Sequence, residues 1–312
     1  MSNPAGALES QRKTMSSAPQ IRRKRRTRLA DLRRMFRNRL FRLGMMILVP
    51  IFCAAVFAPM LTSYDPVQLD TSSKLSAMSW KHPFGTDEYG RDLFARVIYG
   101  SRISLRVSAL SCVLTAVFGV LLGALAGYYK PCDGLISRVM DGLMNFPGII
   151  LGIMVIAALG QSEANVILSM TIMYTPRIVR VVRASVLEVK TFDFVDAARV
   201  VGISELRILT SHILPHIIAP LTVQITFGFA WGVLVESGLS FLGLGTPPPA
   251  PSWGNIISDG REFIRTAPWL MVFPGLMISA AVMGLNLIGD GLRDILDPRL
   301  RNTARRIGTA LG

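Results

Sequence analysis

The stretch VSALSCVLTAVFGVLLGALAGYY, residues 107–129, holds no charged side chain and places Ser111, Thr115, Gly119, Gly123 and Gly127 at every fourth position. At 1.5 Å per residue, a helix of this length crosses the roughly 30 Å hydrocarbon core of a bilayer. Four-residue spacing lines the small side chains along one face, where a second helix backbone can approach closely. The stretch therefore predicts a membrane helix packed in a bundle, and its partner is expected within the same chain rather than in a dimer.

Working outward, five more segments have the length and apolarity of a span: Leu43 to Leu61 before it, then about Leu143 to Gly160, Val166 to Val182, Ile217 to Leu242 and Trp269 to Ile288. The reading is an all-α membrane protein of six transmembrane helices. Of the 312 residues, 51% are hydrophobic, which excludes a disordered or collagenous chain. The net charge of +14 comes mostly from residues 1–42, with 13 basic and 2 acidic side chains, so it is a tail rather than a nucleic-acid-binding field. That tail is expected to touch acidic lipid headgroups. The 43–61 run follows 42 residues and exits through Pro59-Met60-Leu61 without a small-residue cleavage site, so it is expected to persist as an anchor.

Lys and Arg mark the cytoplasmic side. The basic tail places the N-terminus there, and six spans return the C-terminus, with Arg293, Arg299, Arg301, Arg305 and Arg306, to the same side. The expected order is a basic cytoplasmic tail at 1–42, a first transmembrane anchor at 43–61, and an extracellular loop at 62–104. A five-helix core follows at 105–300 with a cytoplasmic loop at 183–216, then a cytoplasmic tail at 301–312. Cys53, Cys112 and Cys132 form no CxxC pair, and His212 and His216, separated by Pro215, lack a nearby third ligand, so no metal site is expected.

The 183–216 loop carries more than a connection needs. Asp193 is expected to cap a helix, Gly202 to break it, and Ser204 to cap a second short helix from Glu205 to about Ser211, with Pro215 starting the approach to the fifth span. Exposed Ile and Leu side chains in such an elbow call for a cytosolic partner to bury them.

Asp196-Ala197-Ala198, three residues, Gly202, then twelve residues to Pro215 resembles the EAA loop of ATP-binding-cassette importer permeases, with Asp196 in place of Glu and His212 in the Ile slot. His82-Pro83-Phe84-Gly85-Thr86-Asp87-Glu88-Tyr89-Gly90-Arg91-Asp92 with Tyr99-Gly100-Ser101-Arg102 resembles the C-type permease of the dipeptide, oligopeptide and nickel group. So do Ser240-Phe241-Leu242-Gly243-Leu244-Gly245, Pro251-Ser252-Trp253-Gly254, and Gly291-Leu292-Arg293-Asp294 with Leu296-Asp297-Pro298-Arg299. The resemblance covers about residues 40–300. It implies a type I importer permease fold and a non-catalytic subunit transporting peptides, with nickel, glutathione or another small solute as alternatives. Implied partners are a second homologous permease, two cytosolic ATPases and an extracellular binding protein. No cofactor is implied in this chain, ATP and Mg²⁺ being bound by the ATPases; consistently, no G-x4-G-K-[ST] loop occurs in the sequence. The expected ATPase-docking residues are Asp196, Ala197, Ala198, Gly202, Ile203, Ser204, Leu206, Arg207, Leu209 and Pro215, with Leu206 and Leu209 as apolar anchors.

The residues alone leave two rival readings. Arg177, Arg180 and Arg183 at every third position suggest a voltage-sensing six-helix channel, but no filter-like loop lies between the last two spans. Glu236 within the fifth span suggests a membrane-embedded enzyme, but no second acid, histidine or serine pair faces it at a readable spacing. Glu236 is instead expected to line the path or act as polar glue.

Overall fold

The computed structural model describes residues 35–296. Most of the basic tail, the Asp297-Pro298-Arg299 signature and the 301–312 tail lie outside the described residues. Those described fold as helices, with a single isolated bridge between Thr86 and Asp92. In chain order the helices are α1 Arg39–Val56, α2 Ala58–Leu61, α3 Leu93–Tyr128, α4 Lys130–Met144, α5 Gly148–Leu159, α6 Glu163–Val189, α7 Asp193–Val200, α8 Glu205–Ile208, α9 Leu214–Phe241, α10 Trp253–Gly260 and α11 Trp269–Leu296. By length and composition, α1, α3, α8 with α9, and α11 can each cross a membrane. The α4 and α5 pair adds a fifth crossing if it counts as one.

The small-residue stripe finds its partner in α6. A Cβ on Gly119 would collide with Ile178 Cγ2, on Gly123 it would meet Val182 Cβ at 2.7 Å, and on Gly127 Val186 Cβ at 2.8 Å. The intrachain packing expected from the spacing is what the fold shows. A second close contact joins α1 to α11, where Gly44 faces the Gly284 carbonyl and Gly291 faces Phe41.

Three expectations need correction. The second span begins well before Val107: Asp92 accepts from the Ala95 amide at 2.8 Å and starts α3 at Leu93, so residues 93–104 belong to the helix and not to the loop. The third span is not one helix over 143–160. Pro147 disfavours helical backbone at Phe146, so α4 ends at Met144 and α5 leaves it at 94°. The expected short helix ending near Ser211 instead runs on. α8 passes through a π turn at Leu209–Ile213, in which the Leu214 amide donates to the Leu209 carbonyl, directly into α9. Pro215 has no amide to donate, and the wide turn immediately ahead of it lets the helix continue.

Residues 62–92 and 244–268 form a cap over one end of the bundle. Phe84 stacks on Phe273 with centroids 3.8 Å apart, and the Trp253 indole donates to the Val97 carbonyl at 3.1 Å. The cap's charges pair with one another, while Arg96 Nε, Arg96 Nη1 and Glu88 Oε2 are buried without a hydrogen-bond partner. Arg91 Nε donates to Asp87 at 2.6 Å, Arg96 reaches Asp87 at 3.3 Å and Asp259 at 3.2 Å, and His82 pairs with Asp92 at 2.8 Å. Burial pushes the Glu88 and Asp259 carboxyls above their ordinary range, with Arg91 and Arg96 opposing the rise at Asp259.

Candidate functional site

At the opposite end, α7 and α8 form the elbow. Phe192, not Asp193, is the N-cap, and no side chain closes that end. Asp193 and Asp196 lie within the first turn, where their charge complements the helix dipole. The far end is closed by a Schellman motif: the Gly202 amide donates to Arg199 at 2.9 Å and the Ile203 amide to Ala198 at 3.1 Å, with Gly202 at φ +84°. The left-handed corner explains why glycine stands here, since a Cβ added at Gly202 would itself meet only open space.

The inward face of the elbow belongs to the bundle. Val195, Ala198, Ile208, Leu209 and Ile213 are buried in one cluster with Ile178, Val182 and Val186 of α6 and with Ala124 and Tyr128 of α3. Polar contacts hold the same joint: Tyr128 Oη donates to Glu205, Lys190 Nζ donates to the Tyr128 carbonyl at 2.6 Å, and Arg199 reaches Asp196 at 3.0 Å and Glu205 at 3.8 Å.

Outward, Val200, Val201 and Leu206 are 88%, 79% and 66% exposed, beside the exposed Asp196, Ala197, Gly202, Ser204, Arg207 and Pro215, with Ile203 half-buried. Leu209 is a correction. Only 5% exposed, it lies on the same inward face as Ile213, because the helix continues through the π turn and keeps that face against α6. It cannot serve as an outward anchor, and Ala198 is likewise turned in. Val200 and Val201 are the exposed apolar side chains at this corner that the expected docking set does not include. Their position at the end of α7, just before a glycine corner, was the available signal.

α3, α6, α9 and α11 border an open cavity of about 250 Å³. It is lined by apolar groups that include Met170, Phe227 and Trp231, and by Ser108, Thr115, Tyr174, Arg177, Gln224 and Asn286. Glu236 is absent from this lining. It is wholly buried at the contact of α9 with α3 and α10, where Ser240 donates to it at 2.8 Å and Ser237 stands at 3.4 Å, with Ser104 and Ser252 also in hydrogen-bonding reach. Glu236 thus faces serines at a contact between helices and does not face this cavity. The serines the sequence could not align with it come from three separate segments.

Residues 119–302 match the family model of the binding-protein-dependent transport system inner membrane component, and residues 27–77 match that of the N-terminal TM domain of oligopeptide transport permease C. Among curated relatives, a putative peptide transport system permease protein of Brucella abortus is 48% identical over 269 residues, covering 86% of this chain and 91% of the relative. The dipeptide transport system permease protein DppC of Alkalihalophilus pseudofirmus is 42% identical over 267 residues, covering 85% and 88%. A chain of the inward-facing MetNI methionine ABC transporter superposes with a TM-score of 0.55 at 18% identity, covering 66% of this chain and 98% of that one; this likeness concerns the fold.

Proposed function

Because the chain belongs to the family of binding-protein-dependent transport system inner membrane components, we propose that it forms one of two membrane halves of an ATP-driven importer of short peptides. Relatives named for peptide and dipeptide transport support the cargo. In this reading the spans are α1, α3, the bent α4 and α5 pair, α6, α9 and α11, with both termini in the cytoplasm. α6 is the most charged of them. Ion pairs from Arg180 to Asp141 at 2.7 Å and from Arg183 to Asp133 at 2.6 Å offset the cost of its arginines near the membrane, and they leave no free ladder for a voltage sensor.

The observation that carries the proposal is the elbow's division into two faces, one locked into the ends of α3 and α6 and the other presenting Val200, Val201 and Leu206. Two cytosolic ATPases bind that outer face, one on this chain and one on the second permease, and ATP and Mg²⁺ sit in them. Asp196, Ala197, Gly202, Ile203, Ser204, Arg207 and Pro215 contribute shape and polar contacts around the apolar anchors. Closure of the ATPases shifts the elbow, and with it α6 and α9, biasing an equilibrium between inward and outward access. An extracellular binding protein delivers the peptide to the capped end.

Reconstitution with the second permease, the ATPases and the binding protein tests this. ATP-dependent dipeptide uptake is the expected result. Uptake that needs no nucleotide-hydrolysing companion, or an assembly that moves no peptide, would overturn it. Undiminished ATPase capture and normal uptake with Gly202→Asp would remove the elbow from the mechanism.

A further inference from the structure

Five ionisable side chains meet in the cap with unequal charge. Arg91 Nε stands 2.6 Å from Asp87, and its Nη2 lies 3.4 Å from Glu88 and 3.7 Å from Asp259. Arg96 reaches Asp87 through Nη1 at 3.3 Å and Asp259 through Nη2 at 3.2 Å. Three carboxyls therefore share two guanidiniums, and with all of them ionised the cluster holds one uncompensated negative charge. Asp87, Glu88 and Arg91 come from the 62–92 segment, Arg96 from the first turn of α3, and Asp259 from the last turn of α10. Of the five, Asp259 alone ties the 244–268 segment into the cluster. Nearby, Arg91 also lies over the Tyr89 ring at 4.6 Å, and His82 and Asp92 pair with each other.

A single proton removes the imbalance, and Glu88 is the group placed to take it. Asp259 has both guanidiniums beside it and 40% of its side chain open to water, whereas Glu88 has one guanidinium, is 15% open, and leaves Oε2 buried without a partner. Burial raises both carboxyls, but Arg96 and Arg91 oppose the rise at Asp259, whose ordinary value is the lower.

We propose that this cluster is a proton-operated latch that fastens α10 to α3; its effect on uptake rests on the peptide-importer reading. With Glu88 neutral, two carboxylates face two guanidiniums, and Asp259 holds the last turn of α10 against Arg96. Once Glu88 ionises, the excess charge is relieved by the carboxylate most open to water. Asp259 turns outward and α10 loosens. Arg96 Nε and Nη1, buried without an acceptor, keep donors in reserve for a second pairing. The latch is closed below the ordinary glutamate value of 4.5 and opens as pH climbs through the raised value in the folded cap. Because the cap covers the end at which peptide is delivered, a closed latch slows uptake.

Amide hydrogen exchange of the assembled complex in lipid nanodiscs, corrected for intrinsic rates, tests this between about pH 8 and about pH 5. As pH falls, amides of residues 256–262 should gain at least about fivefold in protection, the lower end of ordinary coupling between two sites, while the elbow at 193–208 is unchanged. Glu88→Gln, neutral throughout, should show the high protection at every pH, and Asp259→Asn the low protection at every pH. In proteoliposomes loaded with ATP, dipeptide uptake should slow as the outer pH is lowered, and Glu88→Gln should be slow already at about pH 8. Protection that ignores pH in the unsubstituted complex would overturn the proposal. So would a pH response of equal size in Glu88→Gln, the result expected if the His82–Asp92 pair were the sensor. Failure of the importer reading shows separately, as absent ATP-dependent dipeptide uptake at every pH, with the exchange result untouched.

Discussion

The cap and the elbow occupy opposite ends of one bundle and use similar residues to opposite effect. In the cap, Asp87, Arg91, Arg96 and Asp259 neutralise one another, and Trp253 and Phe84 are packed inward. In the elbow, the charges Glu205, Arg199 and Lys190 tie the joint to Tyr128, and three large aliphatic side chains are left to solvent. The cap spends its chemistry on holding itself together. The elbow is held from behind so that its front stays available, and surface of that kind signals a partner.

The sharpest way to break this contrast is Trp253→Ala. It removes the largest fully buried side chain and its hydrogen bond to Val97, and should destabilise the cap by about 3–5 kcal/mol, read as a lowered melting temperature of the purified complex. Next comes the pair Val200→Asp with Leu206→Asp. These substitutions should leave chain stability within about 0.5 kcal/mol of the parent, while ATPase capture and ATP-driven uptake fall at least about tenfold. A stability loss of Trp253→Ala size would show that those side chains belong to the fold. Tyr128→Phe removes the hydroxyl joining α3 to Glu205 and should cost about 1 kcal/mol, loosening the elbow's rear attachment in amide exchange across 193–208 without exposing the cap.

The smallest effect concerns Glu88. Burial favours its neutral form in the fold, so its contribution to stability is present below the ordinary glutamate range near 4.5 and is lost as pH climbs through the raised folded value. Glu88→Gln should therefore flatten the fall in melting temperature between pH 4.5 and 7 by about 1–2 °C. An unchanged slope would mean that the cap's charges are balanced without regard to Glu88.

Much of the architecture was legible because lipid imposes strict rules. The uncharged run at 107–129 announced its helix, and its small residues announced a close neighbour. The elbow's helix, glycine corner and helix were legible too, since a left-handed corner has few alternatives to glycine. What local pattern could not carry was direction. Leu206 and Leu209 are three apart and look alike, and only the uninterrupted passage into α9 decides that one faces out and the other in. The break at Asn145–Pro147 had a visible proline but was masked by apolar residues on both sides. The serines around Glu236, and the aspartates that separate Arg180 and Arg183 from Arg177, are tertiary neighbours from distant segments, beyond the reach of spacing.

The interlock of α3 with α6 carries a mechanical corollary. With Gly119, Gly123 and Gly127 each seated against a β-branched side chain, neither helix can slip along the other by less than about one turn, roughly 5.4 Å, without collision. The two must travel as a single keel. The compliance that solute passage demands then resides elsewhere, in the bent junction at Asn145–Pro147 and in the run from α8 into α9, which passes through a widened turn and then two prolines.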